Sequence, residues 1–184
     1  MHHHLRMLRL TLMLCLIPAL SMAACPDGND LADERARLHT ELLKSDTEAQ
    51  AKGIADAIWR IWLTAPDATA QDLLDRGMQR RQVYALEESE RILDDLISYC
   101  PTYTEAYNQR AFTRFLRTRL DEALTDIEVV LSRNPYHFGA LSGKALTLMQ
   151  MGRAELAQDA LRQAVKVHPF LRERAMLREP VDPI

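Results

Sequence analysis

Pro101, Pro135 and Pro169 stand 34 residues apart, and small residues keep the same interval around them. Gly77, Ala111 and Ala145 form one such series; Ser89, Ala123 and Ala157 form another. A fixed period of this length marks a stack of two-helix units, because one unit cannot bury its own apolar face and needs a neighbour to do so.

The unit from Thr104 to His137 is the clearest. Tyr107, Ala111, Phe112 and Phe115 fall on one side of a first helix. A turn follows near residues 117–120, and a second helix opens with Asp121 as its N-cap and Glu122 in its first turn. That helix presents Ala123, Leu124, Ile127, Val130 and Leu131 to the core. Asn134 and Pro135 end it, since proline lacks the backbone N–H and clashes with the preceding turn. Leu141, Ala145, Leu148, Gly152, Ala157, Leu161 and Ala164 repeat the plan. Small residues recur where two helices approach closely, and large ones where the crevice between neighbours must be filled.

These residues resemble the tetratricopeptide repeat, a 34-residue helix-turn-helix with small residues at its eighth and twentieth places and proline at its thirty-second. With repeats starting at Ala70, Thr104 and Phe138, the two small-residue series and the three prolines occupy those places. Tyr107 and Leu141 take the fourth, while polar Arg80 stands where the family prefers an aromatic. The resemblance covers residues 70–169 as units 70–103, 104–137 and 138–169. It implies an all-α fold, a right-handed superhelical stack with a concave surface lined by the first helix of each unit.

Upstream, in a segment spanning 24–69, residues 33–43 and 47–63 read as two further helices. Ala55, Trp59 and Trp62 lie near the twentieth, twenty-fourth and twenty-seventh places of a repeat beginning at Ala36. The segment is therefore a degenerate fourth unit or an N-terminal capping hairpin, with both tryptophans in its core. Glu34, Arg35, Arg37, Glu41 and Lys44 give it the polar outer face that a terminal unit needs. In the final segment, 170–184, residues 171–178 read as a short capping helix, and Pro180 and Pro183 end ordered structure.

Residues 1–23 have the layout of a secretory signal peptide. Arg6 and Arg9 precede an apolar run from Leu10 to Leu20, and Ser21-Met22-Ala23 is a small-x-small cleavage site. The run is too short for a membrane-spanning helix, which needs about 20 residues. Loss of Arg6 and Arg9 leaves 21 basic against 26 acidic residues, a net charge near −5. Such a balance gives no general attraction to nucleic acid or anionic lipid. Arg76, Arg80 and Arg81 cluster among Asp72, Asp75, Glu87 and Glu88 and read as a solvated mixed-charge face.

A periplasmic or secreted location gives the cysteines their meaning. Cys25 and Cys100 remain after cleavage, and their pairing would staple the new N-terminus to the stack. Closing so long a loop contributes on the order of 4 kcal/mol in the chain-entropy model. In the alternative, Met22-Ala23-Ala24-Cys25 loosely resembles a bacterial lipobox, and an acylated Cys25 would anchor the chain to a membrane.

No Gly-rich phosphate loop, nucleophile elbow, zinc-protease motif or zinc-finger spacing is present. His39, His137 and His168 are scattered, the last two as turn residues at unit junctions. Asp94 and Asp95 are adjacent and point to different sides of a helix. Glu87, Glu88 and Glu90 read as solvated residues favouring a helix start. Nothing assembles a base, a nucleophile and an oxyanion site, so no catalysis, cofactor or metal is expected; an enzyme with an unrecognised site is the remote alternative.

The resemblance implies instead a groove for a protein or peptide partner. It puts Met78, Arg81, Asn108, Phe112, Ser142 and Leu146 on that surface, with Gln109 beside Asn108, and also Leu74, Glu105, Phe115, Leu116 and Met149. Asn108 and Gln109 would hydrogen-bond an extended backbone, and Met78, Phe112 and Leu146 would form apolar pockets. Glu105, Leu74 and Gly139 break the family's pattern for clamping a C-terminal carboxylate. The implied role is an exported, non-catalytic adaptor or assembly factor. The second reading is a lipoprotein anchored through Cys25 as a structural part of an envelope complex. A homodimer would cover a helix face that so short an array leaves open.

Overall fold

A computed structural model describes residues 25–26 and 31–178 of the 184. The expected signal peptide, the first three residues of the lipobox-like sequence and the tail with Pro180 and Pro183 lie outside the described residues. Eight helices follow in chain order: α1 Ala32–Leu43, α2 Glu48–Trp62, α3 Ala68–Gln82, α4 Leu86–Tyr99, α5 Thr104–Leu116, α6 Leu120–Arg133, α7 Phe138–Gln150 and α8 Ala154–Val167. A single 3-10 turn, Arg172–Met176, follows α8 where a short helix is expected. The pairs α3–α4, α5–α6 and α7–α8 stack in order, α4 on α5 and α6 on α7.

The small residues sit where helices cross. A Cβ added to Gly77 would lie 2.9 Å from the Leu93 side chain. The Ser89 hydroxyl donates to the Gly77 carbonyl at 2.8 Å. Ala111, Ala145, Ala123 and Ala157 are buried at their equivalent places.

Between the two helices of each pair the backbone turns through a left-handed residue: Tyr84 (φ 60°), Thr118 (φ 59°) and Gly152 (φ 74°), again 34 apart. The next amide then reaches back to the helix just ended. Ala85 N–H donates to the Arg80 carbonyl, Arg119 to Arg114 and Arg153 to Leu148, each at 2.9 Å. For that reason the N-cap of α6 lies two residues before the expected Asp121. Arg119 holds the N-cap position with no side-chain bond, and Asp121 lies in the first turn, where its charge still favours the helix dipole.

Glu90 is not a solvated helix-start acid. It is buried and ion-paired with Arg114 (2.9 Å), Arg119 (2.7 Å) and Arg117. Arg110 and Arg114 also grip the buried Asp126, at 2.7 and 2.8 Å, and Arg110 reaches Asp94 at 2.7 Å. An ionic layer therefore joins α4, α5 and α6. Fully paired charges of this kind hold one register, and removing one partner strands the rest in a poorly solvated place.

The N-terminal hairpin does not sit in front of α3 as an extra unit would. Leu38 and Leu42 of α1 and Ala51, Ala55, Ile58 and Trp62 of α2 share one core with Phe138 and Leu141 of α7, Ala164 of α8 and Leu171. The Trp62 ring stacks on His137 at 3.7 Å, and Trp59 meets Phe138 edge-on at 5.7 Å. Gly139 makes room for this docking: a Cβ there would lie 2.6 Å from the Trp59 ring. Helices α1 and α2 thus close onto the pair α7–α8. Cys25 and Cys100 form a disulfide in the structure, with Cα atoms 5.1 Å apart.

Candidate functional site

Closure of the hairpin onto the third pair forms a half-open cavity of about 750 Å³. Helices α3, α5 and α7 form one wall; α2 and residues 168–173 form the other. All seven residues singled out for the groove line it: Met78 and Arg81 from α3, Asn108, Gln109 and Phe112 from α5, Ser142 and Leu146 from α7. Phe115 joins them. Leu74 and Glu105 do not, being buried in the packing beneath.

One connected hydrogen-bond chain runs from the buried residues beneath into this wall. His137 Nδ1 accepts the Ala140 N–H at 3.1 Å, capping α7, so Nε2 carries the proton and donates to Glu105 Oε2 at 3.0 Å. The other oxygen of Glu105 accepts the side-chain amides of Asn108 (2.8 Å) and Gln109. Gln109 Oε1 in turn accepts from Arg81 Nη2 at 2.6 Å. Arg81 Nη1 donates to the Gln109 carbonyl at 3.2 Å and to Thr113 Oγ1 at 3.5 Å. Its guanidinium lies 4.7 Å from the centre of the Phe112 ring.

Arg81 is therefore not part of a solvated mixed-charge face. Arg76 and Arg80 stay on the surface, paired with Asp72 and Glu88. Burial draws the Arg81 pKa down to about 10, while the Glu105 charge pulls the other way, and the group remains a cation at neutral pH. Asn108 and Gln109 each give one amide N–H to Glu105, which leaves one on each for an incoming backbone. Among the described residues the Ser142 hydroxyl makes no hydrogen bond, and its residue lines the cavity.

Trp59, Phe138, Gly143, Thr147, His168 and residues 170–173 also line the cavity and are not among the expected groove residues. Their part depends on the hairpin folding back, which helical periodicity does not encode. Trp62 packs in the core as expected, whereas Trp59 both packs against it and faces the cavity. His137 is a buried cap, and His39 and His168 have ring nitrogens with no hydrogen-bond partner. Burial, reinforced by Arg35 and His137, lowers the His39 pKa to about 4. Among the described residues no group of three His, Cys, Asp or Glu is placed to hold a metal ion, and no helix is long and apolar enough to cross a membrane.

No family model matches the chain. A TPR repeat-containing protein of Rhizobium etli is 31% identical over 137 residues, which cover 72% of this chain and 65% of that relative. The chain thus spans a little less than two thirds of the relative's length. Among solved structures, MamA 41-end from Desulfovibrio magneticus RS-1 superposes with a TM-score of 0.52 at 15% identity, over 78% of each chain. The MamA RS-1 ArsTM double mutant gives 0.51 at 15% identity, again over 78% of each. At such identity the likeness concerns the helical-repeat fold alone.

Proposed function

We infer that this chain, a member of the tetratricopeptide repeat family, is a non-catalytic adaptor that holds a segment of a partner protein in the cavity between its hairpin and its three repeats. The observation that carries the reading is the convergence of Met78, Arg81, Asn108, Gln109, Phe112, Ser142 and Leu146, from three different helices, on one mostly apolar cavity. Concave sites with apolar walls and a few fixed polar groups are where ligands bind. The volume suits a short stretch of chain. The reading includes export: a leader over residues 1–23 is cleaved, and Cys25 and Cys100 persist as a disulfide in an oxidising compartment. The close approach of the two cysteines supports it.

The test is affinity capture from envelope extract with wild-type protein and with a Phe112→Ala/Leu146→Ala double variant. Phe112 is half exposed, so its truncation leaves the core intact. One protein recovered by the wild type and lost with the double variant, at unchanged helicity, is the expected result. Equal recovery by both moves the binding surface away from the cavity. Intact mass of the exported protein, with and without reductant, tests the cleavage point and the disulfide together.

A further inference from the structure

The cavity holds one deep cation. Arg81 has five N–H donors, and the Gln109 carbonyl, Gln109 Oε1 and Thr113 Oγ1 occupy three of them. Its Nε–H and one Nη2 N–H have no acceptor among the described residues, and no described carboxylate lies within ion-pair distance of it. Glu105 is the nearest acid in the network, but His137, Asn108 and Gln109 already use both its oxygens. The other charges lining the cavity belong to its exposed rim, apart from Glu173, which is half-buried and not within ion-pair distance of Arg81. Lys52 is exposed and pairs with Asp56 at 2.6 Å, Arg172 is exposed, and Glu48 pairs with Arg174 at 3.3 Å. Around Arg81 the walls are apolar: Phe112 beneath its guanidinium, with Phe115, Leu146, Met78 and Trp59.

A guanidinium with adjacent free donors in a poorly solvated wall is matched by a carboxylate, whose two oxygens accept them side by side. A phosphate dianion would bring more charge than this single cation, backed by the negative Glu105, is placed to neutralise. The aromatic surroundings call for an apolar group covalently close to that carboxylate.

We propose that the segment held here is an acidic–apolar one, an Asp or Glu side chain set on Arg81 beside an aromatic or branched aliphatic side chain lodged among Phe112, Phe115, Leu146 and Trp59. The proposal rests on the cavity being the partner site and names the chemistry of what enters. The carboxylate is a side chain's, so a free chain end is not required.

The experiment pans the purified protein against random heptapeptides displayed on phage by fusion through their C-termini, which removes terminal carboxylates. Selected peptides are synthesised with amidated C-termini. Affinity is then read from Trp59 fluorescence, Trp59 being in the cavity wall. Asp or Glu next to an apolar residue is the expected enrichment. Exchange of that acid for its amide lowers affinity about 10- to 100-fold, the range for a hydrogen bond to a charged group. Arg81→Gln brings the acidic peptide down to the amide's affinity and leaves the amide peptide unchanged. The peptide exchange is made on wild-type protein, so the result stands whether or not the Arg81 variant folds. Apolar peptides with no acidic preference, or an acid-to-amide exchange without effect, overturn the proposal while leaving the cavity as partner site. Peptides that bind equally to Leu146→Trp, which puts a bulky ring into the apolar part of the cavity, or no enrichment at all on folded protein, overturn the partner-site reading as well.

Discussion

Two glycines on α7 test whether the hairpin really docks on the third pair. At Gly139 an added Cβ would meet Trp59 Cη2 at 2.6 Å and Cζ2 at 2.7 Å. Ordinary carbon contacts lie near 3.5–4.0 Å, so the indole must retreat by about 1 Å. It is a rigid ring held edge-on by Trp62 at 5.0 Å and Phe138 at 5.7 Å, not the loose end of a flexible chain. Overpacking of this kind costs about 1–3 kcal/mol. Replacing Gly by Ala in a helix returns at most about 1 kcal/mol, and less in the first turn, where Gly139 lies. Gly139→Ala is therefore expected to destabilise by about 1–2 kcal/mol. At Gly143, one turn on, the added Cβ meets only Ile127 Cδ1 at 3.7 Å, an ordinary contact. Gly143→Ala is expected to stabilise by about 0.5–1 kcal/mol. Urea unfolding separates the two, because an m-value near 2 kcal/mol/M turns the difference into a midpoint shift of about 1 M. Both tryptophans are in α2, so fluorescence follows the hairpin while circular dichroism follows the whole stack. In Gly139→Ala the fluorescence transition should come first. If both variants gain stability equally, Trp59 is not against α7 and the closed arrangement is wrong.

Glu90→Gln leaves Arg114, Arg117 and Arg119 converging on a neutral group and should cost about 3–5 kcal/mol in urea unfolding, the range for breaking a buried ionic cluster; a loss below 1 kcal/mol, as for an exposed pair, would mean the layer is solvated after all. His39 has a folded pKa of about 4 against 6.5 unfolded, so its neutral form is the folded one. Its contribution is complete above pH 6.5 and is lost as pH falls from there through about 4. His39 faces Arg35 on its own helix and His137, Tyr136, Trp62 and Phe138 around it. His39→Leu should flatten the pH dependence of the tryptophan-monitored midpoint in that window, and an unchanged slope would assign it to other groups. Reduction of the Cys25–Cys100 bond, which spans 75 residues, should lower stability by about 4 kcal/mol in the chain-entropy model; a Cys25→Ser/Cys100→Ser variant as stable as the oxidised wild type would show that the bridge constrains nothing.

The repeating units were legible because their signal is local. Gly77, Ala111 and Ala145 must be small for the next helix, which starts 9 residues downstream in each unit, to approach, and Pro101, Pro135 and Pro169 must end helices wherever the chain goes. The seven lining residues could be named because each unit presents the same face of its first helix, and the structure brings those faces to one cavity. Glu90 was misread because its partners Arg114, Arg117 and Arg119 lie 24 to 29 residues on, in the next unit and its turn. Arg81 belongs among the seven, but its reading as part of a solvated face fails for the same reason as Glu90, its acceptors being on α5.

The amino-acid pattern by itself thus determined a stack of helical pairs, its register and its concave face, since periodicity and helix-stopping residues act within one unit or between neighbours. Only the tertiary structure decided that α1 and α2 close onto α7 and α8. Trp59 and Trp62 make an apolar face that any complementary surface would bury, and nothing in the pattern selects its partner. The selection lies in shape: the absent side chain of Gly139, the flat ring of His137 and the edge of Phe138 fit that face, and the half-open cavity with Arg81 in its wall is the consequence.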